Sequence, residues 1–149
     1  NILKVGTEAV VYDIQTGKSF NVKRTFGSYH SDTETLTWND TMIMKEIYGG
    51  QWSWERRPII VEVEGILFAA SMNGMPHAGL DKYNSGSYVY GRSSGYGYGY
   101  NYDAVKYNGM DGHFCIHFYK SRLHVNNSED WDHQQAVRKA AEWANNNID

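Results

Sequence analysis

The sequence predicts an α+β fold: a mostly antiparallel sheet or half-barrel of about five or six strands, with one internal helix and one C-terminal helix. Three observations predict it. Runs rich in β-branched and aromatic residues recur at hairpin spacing, one capped helical run interrupts them, and a longer amphipathic run closes the chain. The 149 residues suit a single domain, 1–149, large enough to bury a core without disulfides or metal.

The elements follow in order. "AVVYDI" and "SFNVKRTF", joined by "QTGK" with its turn glycine, predict a first hairpin. After the loop "GSYHSDTETLT", Thr37 stands three residues before Asp40 as an N-cap with a capping-box partner, Ile43 and Ile47 share a face, and Gly49 with Gly50 ends the run. This predicts a helix from Trp38 to Tyr48. "RRPIIVEVEG" and "ILFAASM" predict a second hairpin turning at Glu64 and Gly65. The stretch from about Leu80 to Gly109 holds "GSYVYGRSSGYGYGYNY", with almost no aliphatic residue to bury, and is expected as a long insertion loop. "GHFCIHFY" returns to strand. "SEDWDHQQAVRKAAEWANN" is expected as the closing helix, with Ser128 as its N-cap and Val137, Ala140, Ala141 and Trp143 on its apolar side.

Composition excludes some functions. The net charge of -3 and the scattered lysines and arginines give no field for a polyanion, so nucleic acid is not an expected partner. No apolar run approaches the ~20 residues of a membrane span, and "NILKVGTEAV" lacks a signal-peptide layout, reading instead as the start of an excised module of a larger secreted protein, itself monomeric. An aromatic content of 15% suits either a β-rich core or a surface that stacks on sugars or peptides.

The chemistry concentrates at "DGHFCIHF", which holds the only cysteine. On a strand, His113, Cys115 and His117 alternate to one face while Phe114, Ile116 and Phe118 take the other. The apolar set belongs to the core. The polar set then lines a cleft in which an imidazole takes the thiol proton, making Cys115 a nucleophile with His113 and His117 as catalytic partners. The plainer reading makes Cys115 a small buried hydrophobe. A second constellation, "YHSDTE", places His30, Asp32 and Glu34 at alternate positions. With His113 or His117 from the other strand, His30 and Asp32 offer three zinc ligands, Glu34 serving as general base; the thiol reading needs no cofactor, and zinc is its alternative. "ASMNGMPHAG" is a shaped loop carrying His77 as a substrate-side residue. Arg56 and Arg57 offer a grip on a carboxylate, and Ser71 and Tyr98 complete the expected substrate contacts. His124 and His133 are read as surface or helix-end residues.

The set "DIQTGKSFNVKRTFGSYHSDTETLT", "MKEIYGGQWSWERRPIIVEV", "AASMNGMPHAG", "GHFCIHF" and "HQQAVRKAA" resembles a module of secreted or spore-associated cell-wall proteins of clostridia and bacilli. The resemblance implies a wall-facing location and peptidoglycan as partner. Within it, "MPHAG" followed by "GHFCIHF" is similar to the L,D-transpeptidase signature, which implies Cys115 as the acyl-forming nucleophile, His113 as base and His77 on the substrate side. Gly112 stands in place of that signature's serine, Phe114 in place of its glycine and His117 in place of its arginine. His30, Asp32 and His113 or His117 also resemble the ligand set of zinc D,D- and L,D-peptidases. Both resemblances imply the stem peptide of peptidoglycan as substrate, and a non-catalytic peptidoglycan-binding module is the remaining alternative.

Overall fold

A computed structural model of the chain describes residues 2–28, 30–119 and 130–148. Its elements are β1 (Glu8–Asp13), β2 (Ser19–Phe26), β3 (Ser31–Thr35), α1 (Trp38–Ile47), β4 (Ser53–Val63), β5 (Ile66–Gly74), β6 (Tyr88–Arg92), β7 (Gly97–Tyr100), β8 (Phe114–His117) and α2 (Trp131–Asn147). Six strands close into an antiparallel barrel in the order β1-β2-β3-β8-β5-β4. The expected antiparallel sheet is therefore present, and it closes fully because β8 bridges β3 on one side and β5 on the other. Closure leaves no unpaired edge in the main sheet.

Alternation decides what lies inside. Val11, Phe20, Val22, Val61, Met72, Phe114 and Ile116 form the core with Met44 and Ile47 of α1, all of them buried. Both predicted hairpins form, and the second turns at Glu64 and Gly65, which both take positive φ, at 52° and 81°. The α1 cap is the capping box read from Thr37 and Asp40. Asp40 also accepts hydrogen bonds from the Asn21 backbone N–H and side-chain amide, which fastens the helix to β2.

Four expectations are corrected. The stretch "GSYHSDTETLT", expected as a loop, holds β3 at Ser31–Thr35, which pairs with β2 and β8. The segment from Leu80 to Gly109 is not a structureless loop: β6 and β7 pair into a small sheet of their own. Polar side chains hold it where aliphatic ones are lacking. Asn101 accepts from Leu80 N–H at 2.7 Å and donates to the carbonyls of Leu80, Tyr83 and Asn84. Asp103 accepts from Gly112 N–H at 2.8 Å and from Lys106, and Glu34 accepts from the N–H groups of Ala104 and Val105. In α2, Asp130 is the N-cap, accepting from His133 N–H at 2.8 Å; Ser128 and His124 lie outside the described residues. The buried side of α2 is His133, Gln134, Ala136, Val137 and Ala140, packed on β4 and β5, while Ala141 is exposed and Trp143 reaches Tyr12. His133 is 1% exposed, so of its two expected placements the surface one fails, while the helix-end one holds in the first turn of α2.

Candidate functional site

The outer face of the barrel carries the site. In β8, Phe114 and Ile116 fill the core, so Cys115 and His117 must point outward. Register then assembles the neighbours: Asp32 stands opposite Cys115, Ser71 stands opposite His117, and one step further along β5 Asn73 comes beside the thiol. A cavity of about 780 Å³ opens here, lined by His30, Asp32, Asn73, His77, His113, Cys115, His117 and His133. Its walls are aromatic and basic: Phe26, Trp54, Tyr96 and Tyr102, with Arg56 and Arg92.

The loop bearing His77 is pinned to the stretch before β8 by paired backbone bonds between His77 and His113, at 2.9 and 3.0 Å. Such close approach excludes a side chain at Gly112, whose φ is +92° and where a Cβ would lie 2.0 Å from the His77 carbonyl oxygen. Glycine at that position is thus a requirement of the site's assembly.

The hydrogen bonds orient the rings. His77 Nδ1 lies 2.7 Å from the Met75 carbonyl, which makes it the N–H donor and leaves Nε2 as the acceptor, 3.8 Å from Cys115 Sγ. His113 Nδ1 likewise lies 2.9 Å from the Tyr102 carbonyl, and its Nε2 is 3.7 Å from Asp32 Oδ2. Asp32 Oδ1 gathers two partners, His30 Nε2 at 3.0 Å and the Cys115 thiol at 3.5 Å. His30 stacks on His117 with centroids 4.8 Å apart, and His117 stacks on His133 at 3.7 Å. His133 Nδ1 pairs with Ser71 Oγ at 2.7 Å.

Burial sets the protonation states. It lowers His77 to about 4, helped by the neighbouring His113, and lowers His117 and His133 to about 2. These three rings are neutral at pH 7. Burial alone would raise Asp32, but the hydrogen bond from His30 and the nearby imidazoles outweigh it and bring the carboxyl down to about 2. Burial and the Asp32 charge together push the Cys115 thiol well above its ordinary value. The resting sulfur is a thiol.

The predicted residues divide accordingly. His113, Cys115 and His117 share the cavity, joined by His30, Asp32 and His77. Arg57 does not: its guanidinium is taken by Asp13 at 2.9 and 3.0 Å, and Arg56, which donates to Asp130 at 2.7 Å, lines the cavity instead. Ser71 is buried beneath α2 against His133. Tyr98 stands on the outward face of the β6–β7 hairpin, packed on Tyr88 and Tyr90. Glu34 follows Asp32 on the same strand face, but its carboxylate is sealed under Ala104 and Val105, out of reach as a general base. Asn73, Tyr96, Trp54 and the Met75 carbonyl were not read as site groups. Only Asn73 carried a signal, its period-2 relation to Ser71.

No protein-family model, no curated protein and no solved structure matches this chain.

Proposed function

We propose that this domain is a cysteine-dependent acyl-transfer enzyme acting on the stem peptides of peptidoglycan, outside the cell at the wall. The observation that carries the reading is the Cys115–His77 pair. An imidazole locked as the Nδ1–H tautomer presents its free Nε2 to the only thiol, 3.8 Å away inside an open cavity. A neutral base facing an un-ionised thiol suits a step in which the proton leaves as the sulfur attacks. Cys115 Sγ bonds to the amide carbonyl carbon while its proton passes to His77 Nε2. The C–N bond then breaks, the amine leaves with that proton, and a thioester remains. A second amine or water, deprotonated by His77, attacks the thioester and releases the thiol. The base is thus His77 rather than His113, which stands 3.7 Å from Asp32.

The substrate class rests on three supports. The motifs resemble the L,D-transpeptidase signature, and Arg92, whose guanidinium is bonded to carbonyls rather than to a carboxylate, gives the cavity wall a cation for a peptide rich in carboxylates. The hairpin whose residues Arg92 and Tyr96 line that cavity places Tyr88, Tyr90, Tyr98 and Tyr100 on one outward face, since Tyr88 pairs with Tyr100 and the side chains alternate. Exposed tyrosines in that arrangement suit stacking on pyranose rings.

The test is mass spectrometry of the protein incubated with disaccharide tetrapeptides and pentapeptides. A covalent adduct on Cys115 is expected, lost in Cys115→Ser, blocked in His77→Ala and retained in His113→Ala. Absence of any adduct or turnover, with binding to sacculi preserved, would replace the enzyme reading by that of a peptidoglycan-binding module.

A further inference from the structure

We infer that the same cavity holds a second device, a binding site for a soft divalent cation, zinc above all, formed by His30, Asp32 and Cys115. The three donor atoms lie within 4.8 Å of one another. Two of the separations are 3.0 Å, between His30 Nε2 and Asp32 Oδ1, and 3.5 Å, between Asp32 Oδ1 and Cys115 Sγ. A tetrahedral zinc at 2.0–2.3 Å from its ligands separates them by roughly 3.3–3.8 Å, so small side-chain shifts complete the geometry. The donor chemistry selects the ion. A thiolate with an imidazole suits zinc or a similarly soft metal, whereas calcium and magnesium require oxygen ligands.

The ligands are held from behind. Cys115 and Asp32 are opposed in the β3–β8 register, which no loop motion alters. His30 is stacked on His117, which is stacked on His133, and His133 is bound to Ser71 and lies in the first turn of α2. The cavity also keeps a buried nitrogen with no partner in hand. His117, 1% exposed and lining the same cavity, leaves its Nδ1 buried and without a hydrogen-bond partner among the described residues. Buried polar atoms are seldom left so.

Binding forms Zn–N, Zn–O and Zn–S bonds and breaks the S–H bond, its proton going to solvent; His30 binds through Nε2 with its ring proton on Nδ1. Three protein ligands leave a fourth position for water. Because the sulfur that binds the metal is the sulfur of the Cys115–His77 pair, the cation silences the thiol. That consequence rests on the acyl-transfer reading; metal binding itself does not.

Two measurements on the full chain test the inference. Titration of the metal-free protein with zinc is expected to give one bound equivalent. Cobalt in its place is expected to give a thiolate charge-transfer band that Cys115→Ser abolishes and His30→Ala removes or weakens. In the unaltered protein, which needs no variant to fold, zinc is expected to stop alkylation of Cys115 by iodoacetamide and a chelator to restore it. Zinc binding undiminished in Cys115→Ser, or alkylation indifferent to zinc, would overturn the site. Acyl-enzyme formation is read separately, so a protein that binds zinc without forming the adduct refutes only the reaction, and the converse refutes only the metal.

Discussion

At the scale of single residues, Cys115 and His77 illustrate how surroundings set chemistry. Two residues on either side of the cysteine stand histidines, which spacing does not tell apart, and the transpeptidase resemblance implied His113 as the base. The ring that faces the sulfur comes instead from 38 positions earlier, because the His77–His113 backbone bridge carries it there. Its tautomer is set by a main-chain carbonyl, Met75, and no side-chain pattern announces a carbonyl. The low value of His77, about 4, has a kinetic consequence. The base must be neutral to accept the thiol proton, so acylation rate should hold from pH 7 down to about 5 and fall only below about 4. A rate that halves near pH 6.5, the ordinary imidazole value, would show that another histidine serves.

At the scale of elements, the caps and hairpins were readable because their signals are local. Thr37 needs only Asp40, three residues on, to make its box. Replacing Thr37 by Ala should cost about 1 kcal/mol in a urea denaturation, with the urea dependence unchanged. The β6–β7 hairpin was not readable, since a segment of tyrosine and glycine offers little to bury. It is ordered by Asn101 and Glu34, whose partners are backbone groups about twenty and seventy positions away, and by Asp103, which holds Gly112 N–H and Lys106. The outward tyrosines carry little of the fold, their rings lying between 48 and 80% exposed. Replacing Tyr88, Tyr90, Tyr98 and Tyr100 together by Ser should therefore leave the melting temperature within a few degrees of the parent while weakening retention on purified sacculi. Undiminished retention would take glycan stacking out of the reading.

At the scale of the whole molecule, buried titratable groups make stability depend on pH, and the signs oppose. His77, His117 and His133 are lowered on folding, so the unfolded chain binds protons that the folded barrel refuses. Their contribution is complete above about 6.5 and declines as pH falls below it. Glu34 is raised by burial to about 7 from 4.5, so the folded form holds a proton the unfolded chain gives up, and its contribution is lost as pH rises from about 4.5 to 7. Asp32, lowered from 3.8 to about 2, loses its share only in strong acid. Between pH 4.5 and 6.5, three rings oppose one carboxyl, leaving a net loss of stability on acidification. Urea midpoints measured from pH 6.5 to 5 should fall steadily, and a flat profile would contradict the buried state of these rings.

What the sequence determined by itself is the two hairpins of the barrel, strand β8, the two helices, and the grouping of His113, Cys115 and His117, because hydrophobic period, turn glycines and caps act within a few residues. What only the tertiary structure decided is the closure of the barrel, the placing of the His77 ring against the thiol, the loss of Arg57, Ser71 and Tyr98 from the cavity, and the meeting of His30 and Asp32 with the thiol. Those outcomes depend on strand register and on hydrogen bonds between residues tens of positions apart. A one-residue slip in pairing would leave every local pattern intact and send each of these side chains to the opposite face.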